Sequence, residues 1–289
     1  MARREDRQNR NRFARRVNRF LKSTNAAEKS TLRGAWEIIR QAQAILLERL
    51  GLASGWEVDN LKELRQAIDD TTESTKNRLA DYLHGEAAKY WEQGIEATVE
   101  PVSETLNIHV SKGNIDTRML QVLNVNTSDL VTQIMERTRQ KIHNEVNLAV
   151  MGVQRPQDAL RSVKTLLAGD PKRQGTGLTW QAERIVRTEM NRAHSIASFE
   201  AMKEVERIVP EATKEWIAQT DGRERHSHHE LNGMKVPVSQ PFKHSSIKTP
   251  GGLMYPRDPR GLPSDVINCR CRVVISRDIV EKAFDNSQV

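Results

Sequence analysis

The chain is poor in the material of a thick globular core. Of its 289 residues only 4% are aromatic and 37% hydrophobic, while 29% are charged. That balance argues against one large apolar interior and suits long, exposed helices. The two cysteines, Cys269 and Cys271, stand two positions apart, which excludes a disulfide framework. A bridge between them would close a small strained ring, so reduced thiols are expected. No apolar run approaches the roughly 18 residues of a membrane span, and the first residues lack the apolar segment of a signal peptide. A soluble, intracellular protein with no membrane partner is the expectation.

Positive charge is also unevenly supplied. Residues 1–30 hold ten Lys/Arg against three acids, a surplus of seven that equals the formal net charge of +7 for the whole chain. All the excess therefore sits in a basic arm, residues 1–25, and points to a polyanion. Arg3, Arg4, Arg7, Arg10, Arg12, Arg15, Arg16 and Arg19 are the candidate phosphate contacts. Phe13, Val17, Phe20 and Leu21 recur among them at helical spacing, so a helix here carries a narrow apolar strip edged with guanidinium groups. Sequence-independent contact with nucleic-acid phosphates, DNA or RNA, is the functional reading; a solvated terminus is the bland one, and an organellar targeting helix, which Glu5 and Asp6 argue against, is the third. If about five arginines reach phosphates, log affinity falls with log salt at a slope of about −4 to −5.

Residues 26–179 read as a helical body. Ala35, Ile39, Ala42, Leu46 and Leu50 share one face, ended at Gly51. Leu61, Leu64, Ile68, Leu79 and Leu83 trace a second seam with a polar break at Thr71–Thr72. Tyr90, Trp91, Ile95 and Val99 continue it to Pro101, where the helix is expected to stop. Residues 101–128 read as loop or short strands, Leu130 to Val150 as another helix, and Trp180 to Val209 as the last long one. After Pro210 the texture changes to alternating segments at Trp216, Val236–Val238, Leu253–Tyr255 and Cys271–Ile275, separated by prolines. The predicted fold is mainly α: a long-helix N-terminal body with a small α+β C-terminal domain, residues 180–289.

The chemistry is concentrated between Asp221 and Cys271, a window with both cysteines and four of the eight histidines. In an extended segment Cys269 and Cys271 face one side, and two thiolates with an imidazole are the donor set of a zinc site. His228 is the first choice for the third ligand, with His244, His226 or His229 as the fourth. Zinc would staple a small, proline-rich unit. The bland alternative has unmetallated cysteines packed as small hydrophobes beside a hydrogen-bonded His228. Asp221 with Arg223 or Arg225 reads as an ion pair or turn clamp. A metal-dependent nuclease using the His/Cys cluster is the enzymatic alternative, but neither convergent carboxylates nor a defined histidine framework is present.

Five pieces of the sequence occur in an order that resembles a known family. They are Arg187-Thr188-Glu189-Met190-Asn191-Arg192-Ala193; Trp216; Asp221-x-Arg223-x-Arg225-x-x-His228 with Leu231-Asn232-Gly233; Tyr255-Pro256; and Asn268-Cys269-Arg270-Cys271. Together they look like the phage Mu F-like head morphogenesis domain. His226 and His229 lie outside that pattern. The resemblance covers about residues 180–275. It implies a structural, non-enzymatic minor head protein of a tailed double-stranded DNA phage, assembled in the host bacterial cytoplasm and carried in the virion. It further implies placement at the portal vertex or inside the procapsid, with the portal protein, the major capsid or scaffolding protein, DNA and sibling copies as partners. Arg187, Glu189, Asp221, Arg223 and Arg225 would be structural motif residues.

Overall fold

The structure, a computed structural model, describes residues 2–114 and 116–280, with side chains from Arg7 onward apart from Asn114. Among the described residues eight α-helices and three short strands follow one another: α1 (Ala2–Gly51), α2 (Leu61–Leu106), α3 (Arg118–Val150), α4 (Pro156–Ala168), α5 (Gly177–Ile185), α6 (Asn191–Ile208), β1 (Thr213–Ile217), α7 (His226–Glu230), β2 (Lys235–Pro237), α8 (Pro263–Val266) and β3 (Arg272–Ile275). The fold is mainly α with a small α+β region, as the hydrophobic periodicity predicts. No helix among the described residues is long and apolar enough to cross a membrane. Two compact units divide the chain: residues 1–28, 86–123 and 187–289 form one, and residues 29–85 and 124–186 the other.

The second unit is all helix. Ile39, Leu46 and Leu50 of α1, Leu64, Ile68, Leu79 and Leu83 of α2, and Val131, Ile142 and Val146 of α3 are buried. The break at Thr71–Thr72 is polar in sequence but not in space. The hydroxyls of Thr71, Thr72 and Thr75 donate back to the carbonyls of Ala67, Ile68 and Thr71 at 2.6–2.8 Å, so threonine enters the seam without an unpaired donor. Asp69 holds Arg139 at 3.0 Å and His143 at 2.8 Å, and though burial opposes it, these two partners keep its carboxyl below the usual range.

The first unit contains the candidate site. Pro101 does not end α2, which runs five residues further to Leu106. Burial of Tyr90, Trp91, Val99 and Val102 outweighs the roughly 3 kcal/mol that an interior proline costs. The stop is Asn107, at φ 55°, in the left-handed conformation that terminates helices. This part of α2 crosses α6 so closely that a Cβ at Gly94 would lie 2.4 Å from the His194 carbonyl oxygen. The expected single helix from Trp180 to Val209 is instead α5 and α6 joined by a π-helical turn, Val186–Met190, whose extra residue per turn re-aims the motif side chains.

The sheet has the order β2-β1-β3, antiparallel throughout, with Lys214 opposite Val236 and Trp216 opposite Val273. Lys214 and Trp216 point inward and are fully buried. Leu253 forms an isolated bridge with Phe242 rather than a longer strand. The proline-rich segment is tied down by Asp265, which accepts from the Thr249 N–H at 2.7 Å and its hydroxyl at 2.5 Å. α6 packs against β3.

Candidate metal centre and basic helix face

The site is built by a return loop and a strand entry. The Arg225 carbonyl accepts the N–H groups of His228 and His229 at 3.0 and 2.9 Å, which starts α7. Asn232 Oδ1 then accepts the Ala218 N–H at 2.9 Å. Gly233, at φ 77°, donates to the Trp216 carbonyl at 2.8 Å; an L side chain is disfavoured in that left-handed turn. These bonds fold the Leu231-Asn232-Gly233 segment back on β1 and set the His228 ring edge-on to Trp216, centroids 5.5 Å apart. From the other side Cys269 and Cys271, 1% and 2% exposed, precede β3.

His228 Nδ1 lies 3.5 Å from Cys269 Sγ and 3.4 Å from Cys271 Sγ. A zinc ion with Zn–S of about 2.3 Å, Zn–N of about 2.0 Å and tetrahedral angles separates sulfur from nitrogen by about 3.5 Å. The three buried donors are therefore already spaced as a metal would hold them, and they form a group that could bind one. Burial opposes ionisation of Cys269, but its hydrogen bonds with Cys271 and His228 and the nearby Arg257 draw its thiol well below the usual range. Cys271 is pushed up by its hydrogen bond to Cys269 and by burial. A metal takes cysteine as thiolate and histidine as neutral imidazole, so binding here would release protons.

Around this trio the motif residues make a frame. Arg257, fully buried and at φ 65°, donates to the Cys269 carbonyl at 2.6 Å and the Ser195 hydroxyl at 2.7 Å. Its own carbonyl accepts Arg192 Nε at 3.0 Å, and Arg192 pairs with Glu189 at 2.6 Å. The Asn268 N–H donates to the Thr188 hydroxyl at 3.1 Å. Glu28 of α1 accepts Asn191 Nδ2 at 2.8 Å and lies 3.4 Å from Arg187 and 3.8 Å from buried Arg272.

The comparisons with known proteins follow the same residues. Residues 140–274 match the family described as Phage Mu protein F like protein. Over that stretch, a little under half of the chain, the sequence is similar to the Mu F-like family. The NAD(+)–arginine ADP-ribosyltransferase EFV of Enterococcus faecalis (strain ATCC 700802 / V583) is 22% identical over 233 residues, 78% of this chain and 45% of that protein. The chain thus spans less than half the length of this relative. No solved structure matches.

Within the Mu F-like segment the sequence-predicted residues fall into two groups. His228, Cys269 and Cys271 converge, whereas His244 stands apart with Nδ1 2.7 Å from the Ser246 hydroxyl. His226 and His229 are largely exposed and face Glu230 and Glu224 at 3.8 and 3.6 Å. Asp221 does not pair with the side chain of Arg223 or Arg225. It takes Arg270 Nη2 at 2.7 Å, and this pairing depresses its carboxyl to about 2. Arg225 reaches the Ile267 carbonyl, and Arg223 meets Asp221 through its backbone N–H at 3.2 Å. Arg187 and Glu189 stand in the frame. Sequence reasoning missed Arg257, and it placed Arg270 in a motif without its partner Asp221, because tertiary structure sets both pairings.

The basic arm is the N-terminal part of α1. Phe13 and Val17 are buried and, with Leu21, line a cavity of about 240 Å³ shared with Ile217, Val274 and Ile275 of the sheet. Arg12, Arg15, Arg19 and Lys22 are exposed, spaced i, i+3, i+7, i+10 on the opposite face, and span about 15 Å of helix. Arg7 is exposed off this stripe; Arg10 is half-buried and partnered; Arg16 pairs with Glu104. The side chains of Arg3 and Arg4 lie outside the described residues.

Proposed function

We propose that this protein is a structural minor head protein of a tailed double-stranded DNA phage, placed at the portal vertex or inside the procapsid and touching packaged DNA. It contributes placement and grip rather than turnover. The observation that carries this reading is where the motif side chains and the buried Arg257 go. Arg192, Arg225 and Arg257 are spent on backbone carbonyls, and Glu189 and Asp221 on arginines. The cavity beside His228, Cys269 and Cys271 measures about 20 Å³, room for about one water. Neither a nucleotide nor a nucleic-acid strand fits there.

The cluster holds zinc in this reading, because two thiolates and an imidazole at tetrahedral spacing are soft donors that suit it. Zinc then ties the return loop to the strand entry of a unit with little aromatic core. The face carrying Arg12, Arg15, Arg19 and Lys22 neutralises phosphates without reading bases. The helical unit supplies surfaces for the portal, the capsid or scaffolding protein, or sibling copies.

The relative's name raises a second reading, transfer of ADP-ribose from NAD(+) to arginine. More than half of that protein lies outside the match, and we assign the shared part to head assembly. Two measurements test the proposal. Mass spectrometry of purified heads should find this chain with the portal fraction, and its absence from heads overturns the assignment. Incubation with labelled NAD(+) and an arginine-rich acceptor should leave the acceptor unlabelled; label lost on His228→Ala would establish catalysis instead.

A further inference from the structure

Three buried polar atoms face the same question at the edge of the metal cluster. His228 Nε2, Glu224 Oε2 and Asn268 Oδ1 are each buried without a hydrogen-bond partner. All three residues line the single small cavity of about 20 Å³ beside Cys269 and Cys271. A buried polar atom without a partner costs about 1–3 kcal/mol, and all three belong to residues that line one cavity.

Their chemistry is complementary. With Nδ1 directed at the two sulfurs, a metal takes its lone pair and leaves the ring proton on Nε2, which becomes a donor. Glu224 Oε2 and Asn268 Oδ1 are acceptors. One water satisfies all three: its oxygen accepts Nε2–H, and its two protons go to the carboxylate and the amide oxygen. About three bonds is the usual complement of a buried water, and the cavity exceeds the roughly 10–15 Å³ that a water needs.

We infer that Glu224 and Asn268 are positioning residues of the metal centre, holding the His228 ring through one buried water. This rests on the zinc reading and assigns the fixing of the histidine to two residues outside the ligand set. Outer partners of a metal-bound histidine lock its tautomer and raise its basicity, and their loss lowers metal affinity about tenfold to a hundredfold. Both residues are well placed for the task. The backbone N–H groups of its own turn hold the Glu224 carboxyl below the usual carboxylate range. Asn268 sits at φ 57°, immediately before Cys269, with its N–H on Thr188.

The test is zinc affinity of the full chain, by competition with a chelator, alongside the ¹⁵N–¹H signal of His228 Nε2. Variants are Glu224→Ala, Glu224→Gln and Asn268→Gly, the last chosen because glycine accepts the left-handed backbone. Glu224→Gln keeps an acceptor oxygen at the same reach. The expected result is a loss of about tenfold to a hundredfold in Glu224→Ala and Asn268→Gly, with rapid solvent exchange of the Nε2 proton and substantial rescue in Glu224→Gln. Wild-type affinity with an unchanged, protected Nε2–H in both loss variants overturns the inference and leaves zinc standing. Failure of the wild-type chain to take up zinc overturns the zinc reading itself, and this inference with it.

Discussion

Replacing Arg12, Arg15, Arg19 and Lys22 together by glutamine removes the exposed basic stripe while sparing the buried side of α1. Each side chain is exposed, and none has an ion-pair partner among the described residues. Each is therefore free to displace one condensed counterion from duplex DNA. Four phosphates neutralised give a slope of log affinity against log salt of about −3.6, so raising salt from 50 to 200 mM weakens binding about 150-fold. Each single glutamine should reduce that slope by about 0.9, and the quadruple variant should bring it close to zero. Arg16→Gln is the control, because Arg16 is engaged with Glu104 and its loss should leave the slope where it was. Fluorescence anisotropy with two duplexes of unrelated sequence reads both salt dependence and specificity. An unchanged slope in the quadruple variant, or an equal drop in Arg16→Gln, would refute the assignment of DNA contact to this face.

Two further predictions concern the first unit. Phe13 is 1% exposed, so Phe13→Ala should destabilise by about 3–5 kcal/mol; a urea melt showing less than about 1 kcal/mol would mean that this part of α1 is not docked in solution. Lys214 is fully buried, its Nζ 2.8 Å from the Val238 carbonyl oxygen and 4.6 Å above the Phe199 ring, and burial brings its amine down to about 7. Between about pH 7 and 10.5 the unfolded chain binds more proton at this site than the folded one. Stability therefore gains from Lys214 as pH rises, by at most about 1.4 kcal/mol per pH unit, and its cost is fully present below pH 7. Lys214→Met should flatten that part of the stability–pH curve measured by urea unfolding, and an identical slope in the variant would contradict the mechanism.

The helical body was legible because its signal is local and repeated. The faces through Ile39 and Leu46, or Leu64 and Leu79, are the buried ones, and Gly51 closes α1. Three local readings failed where tertiary packing or longer-range bonding decided. Pro101 was outweighed by buried neighbours, and the threonines at 71 and 72 satisfied their hydroxyls on the helix itself. The π turn at Val186–Met190 leaves no mark in hydrophobic spacing. At the site, His228, Cys269 and Cys271 could be picked out because soft donors are rare in this chain, so their clustering carries information. His244 belonged to the same crowd but reaches Ser246 instead. Arg257, Glu224 and the pairing of Arg270 with Asp221 were not legible. Arginine and glutamate are common here, and what singles these out is burial or a partner brought from elsewhere in the chain.

Elemental analysis of the purified full chain bears most directly on the proposition that the C-terminal region is a metal-tied architectural clasp. One zinc per chain is predicted, absent from Cys269→Ser/Cys271→Ser and from His228→Ala, with a lower melting temperature when a chelator removes it. A metal-free chain that is fully folded, and whose melting temperature neither chelator nor added zinc shifts, would contradict it.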